Sequence, residues 1–231
     1  LHHALRIDIA YLDRGGRRIG RQLDRRIGHA LARARIERVD EAGFAEIAAV
    51  GPMTTYRDFV QPAGRILFGV RFHPGMWTAH VGVPGGHITD AIVPLDEIWG
   101  KRARELQERL IGSESLDQCV RIVEGALSLA EEPSPMQKAL AWMARHHGCV
   151  SIDDLAAQAG LSARHFRRLC VELTGLTPKF LARVLRFRRA LRHVGAHPCA
   201  FAHLALECGY YDQAHLINEF RELSGRTKET L

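Results

Sequence analysis

The most regular spacing of apolar positions in the chain lies in its last third. Met136, Ala139, Leu140, Met143 and His147 recur at intervals of three and four, which predicts a core helix over 136–147. Ser151 then opens a short helix, with Asp154 three residues on as in a reciprocal N-terminal capping pair, and Leu155 and Ala156 face inward. Gly160 closes that helix, because glycine takes the left-handed turn conformation at no steric cost. Ser162 caps a third helix anchored by Phe166, Leu169, Cys170 and Leu173 and ended by Gly175. Thr177 and Pro178 supply the cap and first-turn residue of a longer helix reaching Val194, with Phe180, Val184, Phe187, Leu191 and Val194 as its buried stripe. Further on, a short helix bearing Leu204 and Ala205 stops at Gly209, and another opens at Asp212 with Leu216, Phe220 and Leu223 as anchors. That is a helix-turn-helix pattern, with a plain αα-hairpin as its nearest rival.

The pattern occurs twice. Ala156, Gly160, Phe166, Cys170, Gly175 and Thr177 have counterparts at Ala205, Gly209, Leu216, Phe220, Gly225 and Thr227, displaced by 49 residues before the turn and 50 after it. Packing alone does not explain a duplicated unit. The intervening helix spans roughly 25 Å at 1.5 Å per residue. A spacer of that length suits two recognition helices set near one DNA turn apart, about 34 Å, in successive major grooves.

Earlier in the chain the periodicity changes character. Ile19, Leu23, Ile27 and Leu31 recur every fourth position beside Arg25, Arg26, Arg33 and Arg35, which predicts an amphipathic helix over 17–38 with a solvated basic face. From Phe44 to Trp99, Gly and Pro punctuate short runs, as in short strands joined by turns. Arg65 to Gly75 is the best strand candidate, with Leu67, Gly69 and Arg71 on one face and Phe68, Val70 and Phe72 on the other. Helices are expected over Leu95 to Leu110 and Leu116 to Leu129. The stretch Glu131 to Pro135 reads as a linker. The division is therefore 1–38, a basic helical segment whose origin is left open; 39–130, a sensor-like or regulatory domain; 131–135, a linker; and 136–231, a helical domain.

Charge sharpens this division. Residues 1–38 carry ten arginines against four acidic residues, 39–133 eight basic against fourteen acidic, and 134–231 fourteen basic against eight acidic. A basic final third behind an acidic middle points to a polyanion as partner of the former. Hydrophobic residues are 46% and charged residues 25% of the chain, and no apolar run approaches the roughly 20 residues that span a membrane, so no membrane role is expected. The first residues do not form a basic stretch followed by an apolar run, so no secretory signal is expected and the cytoplasm is the default location. Five widely spaced cysteines with no C-x-x-C pair argue against a disulfide framework and a zinc ribbon, and are expected as buried thiols. His73, His80 and His87 stand seven residues apart, but the Pro and Gly between them exclude one helix that would align them. Neither a metal site nor a cofactor is expected. The acidic middle holds Asp58, Asp90, Asp96 and Glu97 without a nucleophile elbow, phosphate loop or metal spacing, so no enzyme is expected.

The stretch ALECGYYDQAHLINEFRELSG, Ala205 to Gly225, within 136–231, resembles the DNA-binding domain of the AraC/XylS family of transcription regulators. A fainter similarity runs through VGPMT (Val50 to Thr54), GVRFHPG (Gly69 to Gly75), GVP (Gly82 to Pro84) and VPLDEIWG (Val93 to Gly100), and points to the sensor-like domain of one branch of that family. Two departures stand out: Gly225-Arg226-Thr227 is followed by Lys228 where the family usually has proline, and 1–38 lacks the strand-rich beginning of such sensor domains. The resemblance implies an α+β chain: a small strand-rich N-terminal domain with helices, then an all-α domain of two helix-turn-helix units joined by a long helix. It implies a sequence-specific transcription regulator, expected as an activator, modulated by a small molecule or by oligomerisation through the N-terminal domain. Double-stranded DNA, a small-molecule effector, RNA polymerase for an activator and a homodimer are the implied partners. The alternative is an enzyme or protein-interaction domain over 39–130 that the C-terminal domain tethers to DNA.

The resemblance also suggests the reading residues: Arg164, His165, Arg167 and Arg168 in the first unit, and Gln213, Ala214, His215 and Asn218 in the second. Arginine's planar fork suits guanine O6 and N7, while glutamine and asparagine suit adenine. On the spacer helix Arg186 and Arg189, with Arg183, Arg188 and Arg192, are phosphate candidates. Tyr210 and Tyr211 are expected to pack in the turn, and Trp99 and Trp142 in cores or domain contacts.

Overall fold

A computed structural model describes residues 5–12, 18–19, 33–39, 43–56, 65–127, 132–194 and 201–225. The fold is α+β, with antiparallel strands first and helices after. The strands are β1 (Leu5–Leu12), β2 (Arg18–Ile19), β3 (Arg33–Val39), β4 (Gly43–Val50), β5 (Arg65–Phe72) and β6 (Ile92–Pro94). They form one sheet in the order β2-β1-β5-β3-β4-β6. The expected strand at Arg65 to Gly75 is β5, which lies inside the sheet between β1 and β3, with Val70 opposite both Ile7 and Ala34.

The expected helix over 17–38 is corrected by this sheet. Within that range the described residues are strands, β2 and β3, while 20–32 lies outside the described residues. Two signals compete there. The four-residue recurrence through Ile27 and Leu31 gives way at Arg33 to RARIERV, in which Ala34 and Ile36 alternate with Arg33, Arg35 and Glu37, the period of a strand. Pairing with β4 and β5 then satisfies the backbone of β3 on both edges. Leu5–Leu12 shows the same alternation, through Leu5, Ile7, Ile9 and Tyr11.

Helices cover the sheet: α1 (Trp77–Val81), α2 (Leu95–Trp99), α3 (Lys101–Ile111) and α4 (Leu116–Ala126), with a 3-10 turn at Gly85–Ile88. The helix expected from Leu95 to Leu110 is broken at Gly100, whose φ of 55° turns the chain between α2 and α3. Ile47, Val70, Phe72, Trp77, Leu95, Leu106 and Val123 share this core. Phe72 and Trp77 meet edge-on at 5.2 Å, and Trp99 Nε1 donates to Val81 O at 2.9 Å.

The remaining helices are α5 (Pro135–Arg145), α6 (Ile152–Gln158), α7 (Ala163–Thr174), α8 (Pro178–Val194), α9 (Phe201–Glu207) and α10 (Gln213–Ser224). A second core gathers Met136, Leu140, Met143, Leu155, Phe166, Cys170 and Leu181. A third gathers Phe187, Leu191, Leu204, Tyr210, Leu216 and Phe220. The 17-residue α8 serves both, its N-terminal half in one core and its C-terminal half in the other. Trp142, expected in a core or a domain contact, is 42% exposed on α5, where its ring lies against that of His146. Cys119, Cys170 and Cys208 are buried thiols, whereas Cys149 is exposed; Cys199 lies outside the described residues. Burial pushes the Cys170 thiol up to about 12, although Thr174 opposes this with a hydrogen bond.

Candidate nucleic-acid interface

The two copies share backbone chemistry as well as spacing. In the first turn Leu161 N donates to Ala156 O, and in the second Tyr210 N donates to Ala205 O, both at 2.9 Å. Gly160 and Gly209 take left-handed φ values of 69° and 78°. Ser162 caps α7 by accepting from His165 N, and Asp212 caps α10 by accepting from His215 N. Each helix ends on a left-handed glycine, Gly175 or Gly225, whose N–H returns to Val171 O or Arg221 O. The change of displacement from 49 to 50 is thereby located: Leu161 answers to Tyr210 and Ser162 to Asp212, so Tyr211 has no counterpart. It is not packed in the turn as expected. Tyr210 is buried, but Tyr211 is 87% exposed at the start of α10.

On α7 Arg164, His165, Arg167 and Arg168 are all exposed. Arg168 lies 3.4 Å from the Glu172 carboxylate and donates to His165 Nε2 at 3.0 Å, and Arg167 approaches Asp153 at 3.8 Å. Such exposed pairs contribute little and are readily exchanged for a phosphate or a base edge. On α10 Gln213, Ala214, His215 and Asn218 are exposed too. The His215 ring is oriented from behind: Nδ1 accepts from Tyr211 N at 3.4 Å and the ring meets Tyr210 edge-on, so the neutral imidazole carries its proton on Nε2.

The arginines of α8 divide by role. Arg183 is committed to the fold: its guanidinium donates to Glu219 at 2.7 Å and to Glu222 at 2.6 Å, joining α8 to α10. Burial alone would depress it, but the two carboxylates outweigh that and hold it above the ordinary arginine value. It is therefore no free phosphate ligand. This clasp was missed in the sequence, yet a signal existed. Glu219 falls three residues after Leu216 and one before Phe220, inside the apolar stripe, where a carboxylate needs a partner. Arg186 is half-buried and donates to Gly148 O at 3.3 Å, bracing the turn after α5. Arg189 is half-buried with Arg192 exposed nearby, and both act on His147. Burial first, then Arg192 and Arg189, keep the His147 imidazole below its ordinary pKa.

Among the described residues no three His, Cys, Asp or Glu are grouped to hold a metal ion, and no helix is long and apolar enough to cross a membrane.

Two polar-faced helices, each ending a helix-turn-helix and joined by one long helix, define a bipartite helix-turn-helix domain. Residues 155–230 match the model of a family described as a helix-turn-helix domain. Over these residues the chain is thus a helix-turn-helix domain. No curated protein matches the chain significantly. Among solved structures, the chain is similar to the DNA-binding domain of AdpA, a global transcriptional factor in complex with a target DNA. The identity is 27%, covering 42% of this chain and 89% of that one, with a TM-score of 0.40. It is also similar to an AraC-type transcriptional regulator from Chromobacterium violaceum, at 24% identity, 42% and 87% coverage and a TM-score of 0.39. ToxT from Vibrio cholerae is similar over 98% of this chain and 97% of its own, at 8% identity and a TM-score of 0.44.

Proposed function

We propose that the protein is a sequence-specific DNA-binding transcription regulator that reads two adjacent major grooves, one with α7 and one with α10. The observation that carries this reading is the duplication: two turns with the same hydrogen bonds, caps and closing glycines, each presenting an exposed polar helix face. In this reading Arg164, Arg167 and Arg168 supply base and phosphate contacts in the first groove, with His165 beside them. Gln213, Ala214, His215 and Asn218 address the second with hydrogen bonds and methyl contacts. Arg189 faces phosphate, while Arg186 supports the turn that positions the first unit. The accompanying division is a regulatory part over 39–130, a linker over 131–135 and the DNA-binding part over 136–231, with β1 to β3 counted in the regulatory sheet.

In this reading an effector acts through the regulatory part. An apolar cavity between sheet and helices is lined by Ile47, Val70, Phe72, Trp77, Trp99 and Leu106. That lining is wholly apolar, which suits an apolar group of an effector. Contact with RNA polymerase, a homodimer and a cytoplasmic setting belong to the same reading, which assigns the chain no catalysed reaction.

Selection of duplexes from a random pool by the full chain, followed by fluorescence titration, tests the function. The expected result is a recovered motif bound at least 10³-fold over random duplex, on the order of specific recognition in general, with Arg168→Ala relaxing preference at one position. Equal binding to all duplexes would overturn it.

A further inference from the structure

We propose that residues 51–56 form a strap that ties the two reading helices together at their C-terminal caps, so that the sheet-bearing part governs their relative position. The strap is the direct continuation of β4. Gly51 N donates to Ala91 O at 2.9 Å, and Pro52 O accepts from Asp90 N at 2.8 Å. Thr54 donates to the Asp90 carboxylate through both its backbone N–H, at 2.6 Å, and its hydroxyl, at 2.5 Å. Asp90 itself stands at a φ of 58°, a conformation that costs a non-glycine residue free energy and persists where its surroundings hold it. Met53 is wholly buried between these anchors.

The two ends of the strap meet equivalent positions of the duplicated unit. Pro52 lies so close to Gly175, the closing residue of α7, that a β-carbon there would come within 2.6 Å of the proline ring. Four residues later the ring of Tyr56 lies against Gly225, the closing residue of α10, where a β-carbon would come within 2.5 Å of Cε1. The 3-10 turn adds to the first contact. Its Gly85 and Gly86 rest on the last carbonyls of α7, so that β-carbons there would lie 2.6 Å from Leu173 O and 3.0 Å from Val171 O. Thr89 Oγ1 reaches Gly175 O at 3.5 Å. All these contacts depend on glycine, because no side chain fits between the surfaces.

The strap is therefore a further connection between the units, additional to α8, its Arg183 clasp and the approach of Cys149 to Gly209. Its other end lies in the core, since Ile47, four residues before Gly51 on the same strand, lines the apolar cavity. A molecule that displaces β4 at Ile47 moves the strap, and the strap acts on both caps at once. The contacts fall at the C-terminal ends of α7 and α10 and leave Arg164, Arg167 and Arg168 exposed. The strap thus sets spacing and angle without covering the reading faces.

Hydrogen exchange on the full chain, read by mass spectrometry without DNA, tests the coupling. Gly85→Val wedges only the α7 end, and Tyr56→Ala, at a side chain 47% exposed, releases only the α10 end. Coupling through the strap predicts that Gly85→Val speeds exchange at residues 221–225 and that Tyr56→Ala speeds it at 172–176. Each effect should be about 5-fold, the lower end of measured site-to-site couplings. Gly125→Ala, whose β-carbon meets nothing within 4 Å, should change neither. Effects confined to the helix each variant touches would overturn the proposal. If Gly85→Val does not fold, Tyr56→Ala still decides it. The consequence for DNA rests on the function proposed above and is read separately. Tyr56→Ala should weaken binding to a duplex with both half-sites about 5-fold and leave a single half-site unchanged. Failure to select any duplex would count against the function and leave the exchange result standing.

Discussion

Arg183 shows how one side chain decides the relation of two helices. Its planar fork reaches Glu219 and Glu222 together, and Glu219 is only 5% exposed, so removing the arginine leaves a buried carboxylate without its cation. Arg183→Ala should cost about 3 kcal/mol in urea unfolding, and replacing both Arg183 and Glu219 by methionine should recover most of that loss. Arg183→Lys should fall between, because an ammonium does not span two carboxylates in the same geometry. His147 gives a pH signature. Its imidazole titrates below its ordinary value in the folded chain, so the unfolded chain binds more protons as pH falls through about 6.5. Its contribution to stability is thus present above that pH and is lost below it. Thermal melts between pH 7.5 and 5.5 should show a smaller decline for His147→Asn than for the natural chain, asparagine being suited to the left-handed φ of 54° found there.

At the scale of elements, the two turns look alike in sequence and differ in surroundings. Gly160 and Gly209 both need left-handed backbone, but a β-carbon at Gly160 meets nothing within 4 Å, whereas at Gly209 it would lie 2.6 Å from Cys149 Sγ. Gly160→Ala should cost about 1 kcal/mol, the conformational penalty alone. Gly209→Ala should cost about 2 kcal/mol more, a typical overpacking penalty, and Cys149→Ala should restore part of it. Both values follow from chemical denaturation. Helix ends were legible because capping chemistry is local: Ser151, Ser162, Thr177 and Asp212 each accept from the backbone N–H three residues on. Where a helix bends was less legible. Gly100 sits inside the apolar spacing of Ile98, Leu106 and Leu110, and only packing on the sheet reveals that the chain turns there.

For the molecule as a whole, the exposed arginines of α7 predict a salt-dependent affinity. Affinity for any duplex should fall linearly with salt on logarithmic axes. Each of Arg164→Ala, Arg167→Ala and Arg168→Ala that removes a phosphate contact should reduce that slope by about 1, while Asn218→Ala should leave it unchanged. Titrations at four salt concentrations separate the two kinds of residue. Arg183→Ala should instead lower affinity through the lost α8–α10 connection, with the slope unchanged.

The sequence alone determined the duplicated helix-turn-helix, its caps, its closing glycines and the spacer helix. These features arise from residues within a few positions of each other, and the periodicity of a helix brings just such neighbours onto one face. It also determined which polar residues stand exposed on α7 and α10, since they are what remains once the anchors are assigned. Only tertiary structure decided that Arg33–Val39 is a strand, because its backbone partners lie in Gly43–Val50 and Arg65–Phe72. It alone decided that Arg183 is bound to Glu219, 36 residues away, and not open to DNA. It alone set Pro52 and Tyr56 against Gly175 and Gly225. Each of these is a contact between distant parts of the chain, and local propensity carries no record of such partners.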